Sequence, residues 1–167
     1  MNDVERFIKI IESGSSCISI VTHEEDEALD IVREASMQLE RKMLLWSVGY
    51  GVRNGLLTES PAEPQTDDAD AGLCYIAKTE GKPICVTLDL VSHLKKELTL
   101  RILRDVIKSM EKSGGTLVMI DNQDNLPTII KSYVKTFDIS LPDEKNLERL
   151  VVSTLRSIHR KKPISFC

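Results

Sequence analysis

Apolar positions along the chain switch repeatedly between helical spacing and short unbroken runs. Val4, Phe7, Ile8 and Ile11 recur at i, i+3, i+4 and i+7, one face of a helix, and Ser13-Gly14-Ser15 ends that pattern. CISIVT (17–22) is a compact β-branched run of strand length. Behind it, EEDEALDIVREASMQLERK places Ala28, Leu29, Ile31, Val32, Ala35 and Leu39 on an inward helical face. MLLWSV (43–48) is again continuously apolar, as suits a strand covered on both faces. The GYGVRNG stretch then supplies the glycines of a turn in which this second strand ends.

The segment from Leu56 to Asp70 carries prolines and clustered acids, and reads as a mobile surface loop. Thr66 or Asp67 is expected to cap a short helix through Leu73, Cys74, Ile76 and Ala77. PICVTLDL (83–90) forms a third buried run. A long amphipathic helix follows, with Leu100, Leu103, Val106, Ile107 and Met110 on one stripe and Ser113-Gly114-Gly115 as its stop. TLVMID (116–121) is the fourth strand and YVKTFDIS (133–140) the fifth. The last segment sets Leu147, Leu150, Val151, Thr154, Leu155 and Ile158 on one helix face, with Leu141-Pro142-Asp143 as a start signal and Asp143 as cap.

Short apolar strands alternating with amphipathic helices call for an α/β three-layer sandwich of about five mainly parallel strands, with helices on both faces. At 167 residues the chain is expected to form a single domain over 1–167, with 56–70 as its acidic, proline-containing surface loop. There is no internal repeat.

Composition narrows the function classes. A charged fraction of 29% beside 41% apolar residues is ordinary for a soluble globular protein, and no apolar run reaches membrane length. The net charge of −4 gives no general pull toward nucleic acid or anionic lipid. The basic end around Arg149, Arg156, His159, Arg160, Lys161 and Lys162 is the local exception, and such charges ordinarily form a solvated helix face. The N-terminus lacks the pattern of a secretory signal, so a cytoplasmic location is expected. Cys17, Cys74, Cys85 and Cys167 form no CxxC pair and have no close histidine partner; they read as reduced thiols, without zinc.

In an open parallel sheet, ligands bind at the carboxyl ends of the strands, so the turn after the first strand is the first place to seek chemistry. A phosphate-binding loop needs glycines, a lysine and a hydroxyl. Thr22-His23-Glu24-Glu25-Asp26-Glu27 has no glycine and no lysine, and presents four consecutive acids. At an effective dielectric of about 20, each unit charge roughly 4 Å from a phosphate oxygen would cost on the order of 4 kcal/mol. The same acids complement the dipole of the helix they open. The chain therefore has the outline of a P-loop ATPase without its phosphate loop, and neither ATP hydrolysis nor a cofactor is expected.

Asp89 ends its strand where a P-loop ATPase keeps the aspartate that holds magnesium. Asp121-Asn122 ends the next strand where such enzymes place a polar γ-phosphate sensor. Asp89 and Asn122 are thus the candidate nucleotide-binding residues, against the ordinary role of such residues in turns. Leu90 stands where a hydrolytic AAA protein carries the glutamate that orients water, so no catalytic residue is assigned. His23, His93 and His159 are scattered and assemble no nucleophilic set, although His23 lies at a strand end.

The strand order, Trp46, Ser47, Gly51 and Arg53 of WSVGYGVRNG, the PICVTLDL strand, and Leu141, Pro142 and Asp143 of YVKTFDISLPDEKNLERLV together resemble a known family. It is the N-terminal, degenerate ATPase-like domain of AAA proteins found in plastid genomes, cyanobacteria and other bacteria, and the likeness runs from about Cys17 to Ser157. In that group the domain precedes a genuine AAA module in the same polypeptide. The family's catalytic half is absent here, so its ATPase activity passes to no residue of this chain.

The resemblance implies a non-catalytic interaction or regulatory domain whose partner is a protein, either an AAA ATPase module or another copy of the chain. Tyr50 and Arg53, after the second strand, are the candidate contact residues, because aromatic and arginine side chains are enriched at binding hot spots; each also has an ordinary reading as packed turn or solvated surface. Trp46 is expected in the core. The alternative is a nucleotide- or phosphate-binding switch or ATPase that uses Asp89 and Asn122 with a metal ion at a non-standard site.

Overall fold

The computed structural model describes residues 1–141 and 144–161. It holds a six-stranded sheet in the order β3-β2-β4-β5-β1-β6, formed by β1 (Cys17–Val21), β2 (Met43–Ser47), β3 (Gly51–Asn54), β4 (Ile84–Leu88), β5 (Thr116–Asp121) and β6 (Lys135–Thr136). Every neighbouring pair is parallel except β2–β3. Parallel strands need helical crossovers, which cover both faces and explain why the strands are apolar throughout rather than alternating.

Side-chain alternation splits the core in two. Ile18, Ile20, Leu45, Val86, Val118 and Ile120 point toward α1 (Asp3–Glu12) and α2 (Glu25–Gln38) and meet Phe7, Ile11, Ala28 and Val32 there. Leu44, Trp46, Cys85, Leu117 and Met119 point the other way, toward α3 (Ala69–Ala77) and α4 (Glu97–Ser113), and pack on Leu73, Ile76, Leu103, Ile107 and Met110. The expected three layers are present.

Local signals explain the helix boundaries. Asn2 and Glu5 form a capping box on α1, so two amide donors otherwise left without partners are satisfied reciprocally. Gly114 adopts a left-handed φ of +81° to close α4. The cap of α3 is Asp68, whose side chain accepts from the Ala71 amide, rather than Thr66 or Asp67. Cys74 lies on the exposed side of that helix, whereas Cys17 and Cys85 are buried. Cys167, Pro142 and the expected cap Asp143 lie outside the described residues.

Three further features depart from the expected pattern. The chain does not leave the sheet after β2: Gly51–Asn54 folds back as β3, with Trp46 opposite Val52 and Ser47 opposite Gly51. The fifth parallel strand contracts to Lys135–Thr136, although the Phe137 amide still bonds to the Ser19 carbonyl. A one-turn helix, α5 (Thr128–Lys131), lies between β5 and β6 and buries Ile130.

The acidic segment runs along the outer edge of β3. There Glu63 N–H donates to the Val52 carbonyl, Thr66 Oγ1 accepts from the Val52 amide at 2.8 Å, and Ser60 Oγ accepts from the Asn54 amide. An edge that would otherwise expose unpaired backbone groups is thereby covered. The last helix, α6 (Glu144–Lys161), has the stripe that its spacing defines, but every side chain from Leu147 to Arg160 is exposed.

Candidate functional site

At the carboxyl edge of the sheet, β1 passes into α2 through only Thr22, His23 and Glu24. Thr22 Oγ1 accepts the Glu24 amide at 2.9 Å, a tight local turn, and Glu25, Asp26 and Glu27 fill the first turn of α2. These carboxylates sit at the positive end of the helix dipole, the place that would otherwise favour a bound anion. His23 is exposed at this turn.

The next two strand ends add acids. Asp89 follows β4 with a left-handed φ of +55°, exposed side chain and a carbonyl that accepts from Ser92 Oγ at 3.0 Å. Asparagine and aspartate tolerate this conformation better than other non-glycine residues. It turns the chain sharply into the 3₁₀ turn Val91–His93. Leu90, at the position expected for a water-orienting glutamate, is fully buried in the α3–α4 core.

Asp121, the last residue of β5, is the buried member of the group at 5% exposure. Its Oδ1 accepts the Val91 amide at 3.1 Å, which ties the end of β5 to the turn after β4, while Oδ2 is buried without a hydrogen-bond partner. Burial pushes the Asp121 carboxyl up to about 6; the Val91 bond opposes that shift and the charge of Asp89 adds to it. Glu25 is also raised, first by partial burial and then by Asp89 and Asp26. The charge of Asp89 therefore acts on both Glu25 and Asp121.

A cavity of about 470 Å³ opens between these strand ends, lined by Asp89, Ser92, Lys95, Asp121, Asn122 and Asn125 among others. The structure thus brings together both sequence-derived candidates, with Asn122 exposed on the cavity wall and the buried Asp121 beside it. The more perturbed group is Asp121. Its signal in the sequence was an acid closing an otherwise apolar run, which pattern alone does not separate from a turn residue. Among the described residues, no group of three or more His, Cys, Asp or Glu side chains is placed to hold a metal ion.

Tyr50 and Arg53 lie on the β2–β3 hairpin. The Arg53 guanidinium stacks 4.2 Å from the Tyr50 ring centroid, and Tyr50 is 55% exposed. Behind them Trp46 is buried, as the sequence implied: its Nε1 donates to the Thr66 carbonyl at 2.8 Å, and its ring meets His93 edge to face. The two candidate groups are separate, one at the centre of the sheet and the other on its β3 flank.

Comparisons with known proteins place this geometry. In fold, the chain is similar to a DNA replication initiation factor, with a TM-score of 0.60 at 11% identity over 92% of this chain and 50% of that one. It is also similar to the replication initiator DnaA bound to AMPPCP and single-stranded DNA, with a TM-score of 0.58 at 10% identity over 94% and 50% of the two chains. AMPPCP-bound DnaA from Aquifex aeolicus gives a TM-score of 0.57 at 10% identity over 92% and 50%. The chain spans about half the length of these solved chains, and at such identities the likeness is one of fold.

No curated protein matches the sequence. The family model described as "SpoVK-like AAA ATPase, N-terminal domain" matches residues 3–139, which include both cores, the strand-end acids and the hairpin. This chain belongs to the SpoVK-like AAA ATPase N-terminal domain family.

Proposed function

We propose that this protein is a non-catalytic, ATPase-like interaction or regulatory domain, cytoplasmic, whose partner is an AAA ATPase module or a second copy of the chain. One observation carries the reading. The sheet edge where a nucleotide's phosphates would lie meets the carboxylate-bearing first turn of α2, with Asp89 and Asp121 at the adjoining strand ends. Like charges at close range disfavour an anion there. Leu90, buried in the core, supplies no base for water. Exposed Tyr50, stacked with Arg53, gives the β2–β3 hairpin an aromatic and cationic surface suited to protein contact.

A second reading rests on the cavity itself. Asp89, Asn122 and the partnerless Oδ2 of Asp121 converge there beside Lys95, an arrangement that would take a phosphate compound together with a divalent ion in a non-standard pose.

Isothermal titration of the chain with magnesium-ATP and ADP separates the two. The interaction-domain reading expects no saturable heat at millimolar nucleotide. Saturable binding that Asp89→Ala abolishes would replace it with the switch.

A further inference from the structure

The sheet edge that disfavours a phosphate is suited to the opposite charge. Asp121, 5% exposed, lines the cavity of about 470 Å³ with its Oδ2 lacking a hydrogen-bond partner, and the exposed Asp89 lies on the same wall. Among the described residues neither carboxylate is ion-paired; the pairs formed are Arg6–Asp3, Arg33–Asp30 and Arg101–Asp105. Burial raises the Asp121 carboxyl only to about 6, so it is mostly ionised at neutral pH. Native structures leave few buried polar atoms unpaired, and a buried charge needs a partner of opposite sign as well as a hydrogen bond. A water molecule supplies the second and not the first.

We infer that this cavity receives the guanidinium of an arginine presented by a partner protein, with Asp121 Oδ2, the Asp89 carboxylate and the Asn122 side-chain carbonyl as its acceptors. This deepens the interaction-domain reading by naming the chemistry of one contact, and rests on that reading in taking the occupant from another protein. A guanidinium carries five N–H donors in a rigid planar fork and no acceptor, which matches two carboxylates and an amide oxygen around one cavity. It is also more weakly hydrated than an ammonium, so a partly buried acid strips less water from it.

A divalent ion needs several oxygen ligands closed around it, and among the described residues no three His, Cys, Asp or Glu side chains are placed to hold one. Lys95, exposed at the cavity, opposes a second cation, but Glu25, whose carboxyl feels the charge of Asp89, adds a third acid from α2. The acids outnumber the ammonium. Asn122, Gln123 and Asn125 are exposed, so the cavity can hold the tip of a side chain without enclosing a whole small molecule, as a ligand pocket does.

Amide NMR of the nitrogen-labelled full chain tests the inference, with a capped Gly-Arg-Gly tripeptide as the probe. The expected result is a saturable shift of the Val91 amide, which donates to Asp121 Oδ1, and of the Asn122 and Asn125 amides. The neutral citrulline analogue should give none. Asp89→Asn and Asp121→Asn should each weaken binding by roughly ten-fold. Asparagine tolerates the left-handed backbone at position 89 and keeps an acceptor for Val91 at position 121, so both variants fold. Asp105→Asn removes an exposed acid of α4 outside the cavity and should leave binding unchanged. No saturable shift with the arginine peptide, equal binding of the citrulline peptide, or unchanged binding by the Asp89 and Asp121 variants would overturn the inference. The same shifts from magnesium chloride alone at lower concentration would make a metal ion the occupant. Tighter binding of free arginine than of the capped peptide would make it a small molecule, and either result overturns the inference too. Saturable magnesium-ATP binding overturns the interaction-domain reading itself, whereas a silent nucleotide with a silent peptide overturns this contact alone.

Discussion

Asp121 shows how one side chain can carry a cost that the fold retains. Its carboxyl is displaced upward to about 6, mainly by burial, with one oxygen bonded to the Val91 amide and the other without a partner. The sign follows from proton linkage. Between the unfolded value near 4 and the folded value near 6, the native state binds more protons than the unfolded chain, so stability falls as pH rises through that window. A shift of this size corresponds to about 3 kcal/mol. Asp121→Asn keeps an acceptor for Val91 and removes the buried charge. It is expected to raise stability at neutral pH by about 1–2 kcal/mol and flatten the loss between pH 4 and 6, as measured by urea unfolding at several pH values.

Gly72 poses the opposite problem at the same scale. A Cβ there would lie 2.3 Å from Trp46 Nε1 and 2.4 Å from Cδ1, so the glycine is what lets α3 approach the buried indole. Alanine gains about 1 kcal/mol in helix propensity but overpacks by about 1–3 kcal/mol and disturbs the Trp46–Thr66 bond, worth roughly 1 kcal/mol more. The clash outweighs the propensity. Gly72→Ala is expected to lower stability by about 2 kcal/mol, with a changed tryptophan emission spectrum as an independent check.

At the scale of elements, the acidic segment is the clearest case of a loop doing the work of a strand. Ser60, Glu63 and Thr66 satisfy the outward-facing backbone groups of β3, and Thr66 is buried although its neighbours in sequence are exposed. Thr66→Val keeps the volume and removes the hydroxyl that accepts from Val52 and donates to the Glu63 carbonyl. The expected loss is about 1–3 kcal/mol, with faster hydrogen exchange at the Val52 amide while β4 and β5 amides keep their protection. Uniform loss of protection across the sheet would show instead that the segment is part of the global folding unit.

For the whole molecule, the carboxyl edge of the sheet decides whether a nucleotide can stabilise the fold. A nucleotide that bound the native state at 100 times its dissociation constant would add about 2.7 kcal/mol of stability, which for a chain of this size raises the melting temperature by several degrees. The strand-end acids predict no such shift with magnesium-ATP, and differential scanning fluorimetry reads it directly.

The sequence alone determined the four central parallel strands, most helices and the polar ends of those strands, because each rests on local rules. A buried parallel strand must be apolar throughout, as in ICVTL and TLVMI, and a helix must repeat its inward face, as Leu103, Val106, Ile107 and Met110 do. Asp89 and Asn122 were visible because a strand end is where such a run stops. Gly51–Asn54 was not legible as β3, since Gly51 sits at φ +93° and half the strand is polar; its pairing comes from β2 on one side and Thr66 on the other. Nor did sequence separate Asp121 from Asn122, because their difference is burial, which depends on what the turn after β4 lays over them. Helical spacing likewise identified the apolar side of α6, but whether that side is covered is decided only where three-dimensional packing brings, or fails to bring, another surface to it.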